Sequence, residues 1–279
     1  GLPPDLSLKP DVGAPGGLIR STFPLELGGY ATISGTSMSS PHTAGAVALL
    51  LEARPQTPSN AVRSILQNSA DPRPRAGAPA GLDNVHRQGA GMLDIDDAIL
   101  ATTKIEPGKL ALGESEAGPA VRTLTIENNS GTDVTYDVTH APALATGPST
   151  FTPAFFNAPA AMAFSANPLT VPAGGSATLD VTITANAALA SKSLYGGYIV
   201  FTPQGGGQTY RVPYAGFKGD YQSIQALVPT ANLFPWLARA GGTPGCPSSS
   251  SFCNQPTGST YSLTGNDVPQ ILVHLDHQV

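Results

Sequence analysis

The segment Gly35 to Gly45 reads GTSMSSPHTAG and places Ser37 in a tight Gly-Thr-Ser turn. The apolar run Ala44 to Leu51 follows at once and reads as a buried helix, with Ser37 at or just before its first turn. A helix start leaves backbone N–H groups without partners and concentrates positive partial charge. That arrangement stabilises an oxyanion forming on a carbonyl, so Ser37 and its own backbone N–H suit acyl transfer. A serine also needs a base within hydrogen-bond reach. His42 lies five residues on, about one and a half turns along the same helix, outside the geometry of a base, and reads as structural. His86 falls in a loop-rich stretch, and His140, His274 and His277 fall in the β-rich remainder. Each of these reads as a surface or structural residue.

Gly35, Thr36, Ser37, Met38, Ser39, Ser40, Pro41, His42 and Gly45 resemble, in order, the nucleophile segment of the subtilisin-like serine peptidases. Upstream, Lys9-Pro-Asp-Val-Gly-Ala-Pro-Gly16 resembles the strand and turn that precede it in that family. The resemblance implies a secreted serine endopeptidase acting through an acyl-enzyme on Ser37, with Gly35, Thr36, Met38, Pro41 and His42 shaping the turn. It also implies a triad in the chain order Asp, His, Ser. The 36 residues before Ser37 contain no histidine. The acid, the base and the amide side chain that completes the oxyanion hole are therefore expected upstream of Gly1. On this reading the chain is the C-terminal part of a larger enzyme and nearly inactive alone, because loss of the base costs a subtilisin roughly a millionfold in kcat. A noncatalytic surface module for adhesion or scaffolding is the alternative. An α/β-hydrolase elbow fits less well, since Gly35-Thr-Ser-Met-Ser39 lacks the closing glycine.

Charge and composition exclude several classes. The net charge is −5, from 14 basic and 19 acidic residues without a basic run, which argues against nucleic acid as a partner. No run of 18 apolar residues exists, so no membrane span is expected. The start, GLPPDLSLKP, is neither basic nor apolar enough for a signal peptide, and any such signal is expected upstream. With 12% charged residues, 31 glycines and 27 prolines, the chain suits loop-rich, β-rich extracellular proteins. Two cysteines, Cys246 and Cys253, flank the polar segment PSSSSF and read as a local disulfide, whereas a metal site would need further ligands. The expected location is secreted or cell-envelope associated. The expected partners are protein or peptide substrates and the missing N-terminal part of the catalytic domain.

Residues 1–103 read as the C-terminal part of an α/β, parallel-sheet catalytic domain. Thr57 suits an N-cap and Pro58 the first position of an amphipathic helix through Ala61, Val62, Ile65 and Leu66. Residues 71–90 read as an exposed loop. Gly89-Ala-Gly91 leads to a final helix near Asp96, resembling the segment that closes subtilisin-like domains. Asp94, Asp96 and Asp97 read as helix-capping residues rather than calcium ligands. No cofactor is required, and the family resemblance leaves a structural calcium open without assigning its ligands. From Lys104 the pattern has period two. Leu124 and Ile126 alternate with polar residues, as do Leu179, Val181 and Ile183, and Asn128 to Thr132 marks a turn before a returning strand. Residues 104–279 therefore read as an all-β sandwich. Tyr195 to Phe201 and Arg211 to Asp220 resemble the fibronectin-III-like domain of large cell-envelope subtilisins. An insertion over 241–266 carries both cysteines. The last residues, from Leu272, read as strand in a truncated sandwich with an exposed edge.

Overall fold

A computed structural model describes residues 5–149, 152–224 and 234–273. The chain divides into two units, Gly1–Tyr221 and Gln222–Val279.

The first unit starts with a hairpin of β1 (Ile19–Thr22) and β2 (Tyr30–Ile33), paired antiparallel with Ile19 opposite Ile33. Four helices follow: α1 (Thr36–Ala53), α2 (Ser59–Ser69), α3 (Val85–Gln88) and α4 (Ile95–Leu100). The expected parallel sheet does not form among the described residues before 103. The connection between β1 and β2 is too short for a parallel crossover, which takes a dozen or more residues, so the chain turns straight back. Isolated parallel bridges join Gly13 to Met92 and Leu82 to Ala143.

Over Ala44 to Leu51 helix α1 is apolar on every side, but it is not wholly buried. Leu50 is fully enclosed with Ala61, Ile65, Leu66 and Ala98, whereas Leu49 is 51% exposed. One face of α1 thus packs on α2 and α4, and no described residue covers the other. Helix α2 begins one position later than its sequence signals suggest. The Pro58 carbonyl closes its first turn by accepting the Ala61 N–H at 2.9 Å, while the Thr57 N–H donates to Arg54. Asp94 caps α4 by accepting the Asp97 N–H at 3.1 Å. The stretch 71–90 is not exposed throughout, since Asn84, Val85, His86 and Ala90 are buried at its end.

A three-backbone seam holds this region together. Gly13 donates to Gly91 at 2.7 Å and accepts from Leu93 at 2.8 Å, while Met92 and Asp71 exchange bonds of 2.7 and 2.8 Å. Gly91 is required there: a Cβ would lie 2.3 Å from the Asp71 carbonyl carbon, and its φ is +123°.

The sandwich follows. One sheet has the order β3 (Thr103–Glu106), β5 (Ala120–Asn128), β11 (Ser176–Thr184), β9 (Ala161–Phe164). The other has the order β10 (Leu169–Val171), β6 (Val134–Pro142), β12 (Leu194–Pro203), β13 (Tyr210–Phe217), β4 (Leu110–Glu114). Short strands β7 (Ala145–Gly147) and β8 (Ala154–Phe156) extend it beside β12. The β13–β4 pair is parallel and its neighbours are antiparallel. Period-two alternation sends Leu124, Ile126, Leu179, Val181 and Ile183 inward against Val138, Ile199, Phe201 and Val212. The strand after the Asn128 turn does not return beside β5; it crosses to the opposite sheet. Buried Asn128 fixes that corner, its Nδ2 donating to Thr132, Val171 and Pro172 carbonyls.

Segment and sandwich are bonded side chain to backbone. Asn68 Oδ1 accepts the Ile105 N–H at 2.8 Å, and its Nδ2 donates to the Arg211 carbonyl at 3.3 Å. Asn84 donates to Leu144, Tyr198 donates to Gly89, and the Tyr210 hydroxyl accepts the N–H groups of Thr102 and Thr103.

In the second unit β14 (Trp236–Ala240) lies between β15 (Phe252–Asn254) and β16 (Gln270–Leu272) in a separate antiparallel sheet. Cys246 and Cys253 are joined by a disulfide, and Arg239 pairs with Asp267 at 3.1 Å. His274, His277 and the strand expected past Val273 lie outside the described residues.

Candidate active site

Strand β2 delivers the chain into a turn at Gly35, whose φ of +156° favours glycine, and α1 starts at the next residue. Ser37 is the second residue of that helix and is exposed. Gly35 is the N-cap and offers no side chain to the helix. Its carbonyl accepts the Met38 N–H at 3.0 Å. The N–H groups of Thr36 and Ser37 have no partner among the described residues, as expected for a first helical turn. Two free donors beside a serine hydroxyl at the positive end of an 18-residue helix can stabilise an oxyanion. Pro41 lies inside α1 and has no N–H, so the Ser37 carbonyl accepts no helical bond from four residues on.

No described side chain hydrogen-bonds to Ser37. His42 Nδ1 lies 2.9 Å from the Met38 carbonyl, one helical turn back. His140 Nε2 is bonded to the Tyr214 hydroxyl at 2.8 Å, and burial pulls its imidazole below the ordinary value. His86 is buried, and burial pulls its imidazole down to about 4.

The Lys-Pro-Asp stretch serves as an anchor. Asp11 bonds Lys9 and receives Lys109 Nζ at 2.7 Å; burial pushes the carboxyl up, but the two ammonium groups outweigh it and hold the group low. Further along the same stretch, Gly16 accepts the Gly35 N–H at 2.8 Å, and Ser34 Oγ accepts the Leu18 N–H at 2.8 Å. Sequence patterning singled out Gly35 and Ser37 but neither of these braces. A glycine carbonyl leaves no side-chain signal, and only its place in the Ala-Pro-Gly run pointed toward it.

Away from Ser37, the carboxylates of Glu114, Glu116 and Asp220 lie within 4.8 Å of one another. Asp94 is engaged as a helix cap, as described above, which is the role its position implies. No helix among the described residues is long and apolar enough to cross a membrane.

Residues 3–91, which contain this turn and helix, match the subtilase family model, and residues 110–215 match the Fn3-like domain model. A subtilase segment and an Fn3-like domain are thus present in one chain. The chain is 34% identical over 142 residues to the minor extracellular protease Vpr of Bacillus subtilis (strain 168), covering 48% of this chain and 17% of that protein. It is 28% identical over 246 residues to the PI-type proteinase of Lactococcus lactis subsp. cremoris, covering 78% of this chain and 13% of that protein. It is 38% identical over 102 residues to the subtilisin-like protease SBT3.16 of Arabidopsis thaliana, covering 36% of this chain and 13% of that protein. The chain spans less than a fifth of the length of each of these relatives.

Proposed function

We propose that this chain carries the nucleophile of a subtilisin-like serine endopeptidase. Ser37 attacks the peptide carbonyl, the Ser37 N–H helps bind the oxyanion, and the leaving amine departs as an acyl-enzyme forms and is later hydrolysed by water. The observation that carries this reading is the exposed serine at the start of α1, beside unpaired backbone donors, inside the subtilase match. The proton on Ser37 needs an acceptor. His42, His86 and His140 are each bonded or buried elsewhere. The base and its orienting acid are therefore supplied from outside the described residues, together with the neighbouring amide of the oxyanion hole and a sheet around the open face of α1. The relatives' names, which include an extracellular protease, and the Cys246–Cys253 disulfide support a secreted or cell-envelope setting. Protein or peptide chains are the substrates, and the Fn3-like sandwich braces the nucleophile segment.

The test is a fluorophosphonate serine probe read by intact mass. The chain alone stays unlabelled, and joining an Asp- and His-bearing subtilase segment ahead of Gly1 produces one adduct that Ser37→Ala abolishes. A stoichiometric, Ser37-dependent adduct on the chain alone would show that it contains its own base. No adduct in the joined form would favour a noncatalytic surface module.

A further inference from the structure

Once Ser37 is taken as the nucleophile, its reach to a carbonyl depends on where the Gly35-Thr36-Ser37 turn sits. Helix α1 holds that turn incompletely, because Pro41 removes the bond the Ser37 carbonyl would accept. A second restraint, beside the Met38 N–H on the Gly35 carbonyl, comes from the strand side. Gly16 accepts the Gly35 N–H at 2.8 Å, two residues before Ser34 Oγ catches Leu18 and β1 begins pairing with β2.

We propose that Gly16 is a positioning residue for Ser37: its carbonyl pins the nucleophile turn, and its missing side chain sets how closely strand and turn approach. The proposal rests on Ser37 being the nucleophile. A Cβ built at Gly16 lies 2.1 Å from Ser39 Oγ and 2.8 Å from the Gly35 carbonyl oxygen. The Ser39 hydroxyl can rotate away. The Gly35 oxygen cannot yield without moving the peptide that also accepts Met38 at 3.0 Å, and that displacement passes into the first turn of α1. Gly16 is not among the positive-φ glycines, so space rather than backbone freedom demands glycine here. Gly17 supplies an internal control, because a Cβ there meets nothing within 4 Å.

The experiment compares Gly16→Ala with Gly17→Ala, first in the chain itself. Amide exchange at Gly35 and the NMR shifts of Ser37 report the turn, and thermal unfolding reports the whole. Gly16→Ala is expected to speed Gly35 exchange by about tenfold and to move the Ser37 signals, with Gly17→Ala silent and both melting temperatures alike. In the joined form that labels at Ser37, Gly16→Ala lowers kcat by about tenfold to a hundredfold with KM unchanged, the scale of a small misplacement of a reacting group. Gly35 exchange and Ser37 signals indistinguishable from those of Gly17→Ala would overturn the proposal. So would a rate loss matched by a general loss of stability. An adduct that survives Ser37→Ala would remove the nucleophile reading and this one with it; an adduct that needs Ser37 but ignores Gly16→Ala removes only the positioning role.

Discussion

Acidification should weaken this fold in large part through the His86 imidazole, and replacing His86 with leucine should remove that part of the loss. His86 is 8% exposed, and neither ring nitrogen has a hydrogen-bond partner among the described residues. Burial lowers its pKa from 6.5 to about 4, so the folded form resists the proton that the unfolded chain takes up. Between those two values the unfolded state binds more protons. Stability is therefore full above the unfolded value and falls as pH drops through the window. With these two pKa values, acidification from pH 7.5 costs about 2 kcal/mol by pH 5 and about 3 kcal/mol by pH 4. His140 is also lowered by burial and adds a loss of the same sign, while Asp11 matters only below its ordinary range. Wild type and His86→Leu share these groups, so the difference between the two isolates His86. Urea unfolding followed by far-UV circular dichroism at pH 7.5, 5 and 4 measures it. The variant should match or exceed wild type at pH 7.5, where two unpaired ring nitrogens have been removed, and should lose about 3 kcal/mol less by pH 4. Equal losses in the two proteins, within about 0.5 kcal/mol, would refute the assignment.

Asn68→Ala leaves the buried Ile105 N–H and the Arg211 carbonyl without their partner and should cost about 2–4 kcal/mol in urea unfolding; a change below about 0.5 kcal/mol would mean water replaces the amide. In the second unit, Cys253→Ser opens a loop of sequence separation 7 and should lower stability by about 2–3 kcal/mol on the chain-entropy scale. Hydrogen exchange over residues 236–272 would rise while the sandwich stays protected, and an unchanged exchange pattern would show that the sheet does not depend on the bridge.

What was legible in the sequence was local or periodic. The place of Ser37 in the first turn of α1 followed from a Gly-Thr-Ser turn ahead of an apolar run, and the Asp94 cap followed from an acidic cluster at a helix start. Strands β5 and β11 followed from strict alternation, because one face of each is buried and the other is not. Long-range partnerships were not legible. The open face of α1 carries the same residues as its packed face, so composition could not separate them. The crossing of β6 to the opposite sheet depends on one asparagine amide reaching three carbonyls across the sandwich, which no turn signal encodes. His86 sits in a stretch whose prolines and glycines read as surface loop, yet the end of that stretch packs on β12 and β13.

The bonds that Asn68, Asn84, Tyr198 and Tyr210 make across the join have a consequence for inheritance. A crossover near residue 103 that brought in a foreign sandwich without tyrosines at 198 and 210 would leave the Gly89 carbonyl and the Thr102 N–H unpaired, and one whose backbone lay elsewhere would strand the amides of Asn68 and Asn84. Exchange of one half between relatives would be selected against unless its counterpart travelled with it. Each bond joins one side chain to a backbone group, so the burden of keeping the join falls on Asn68, Asn84, Tyr198 and Tyr210, while the residues opposite them remain free to vary as long as their backbone keeps its place.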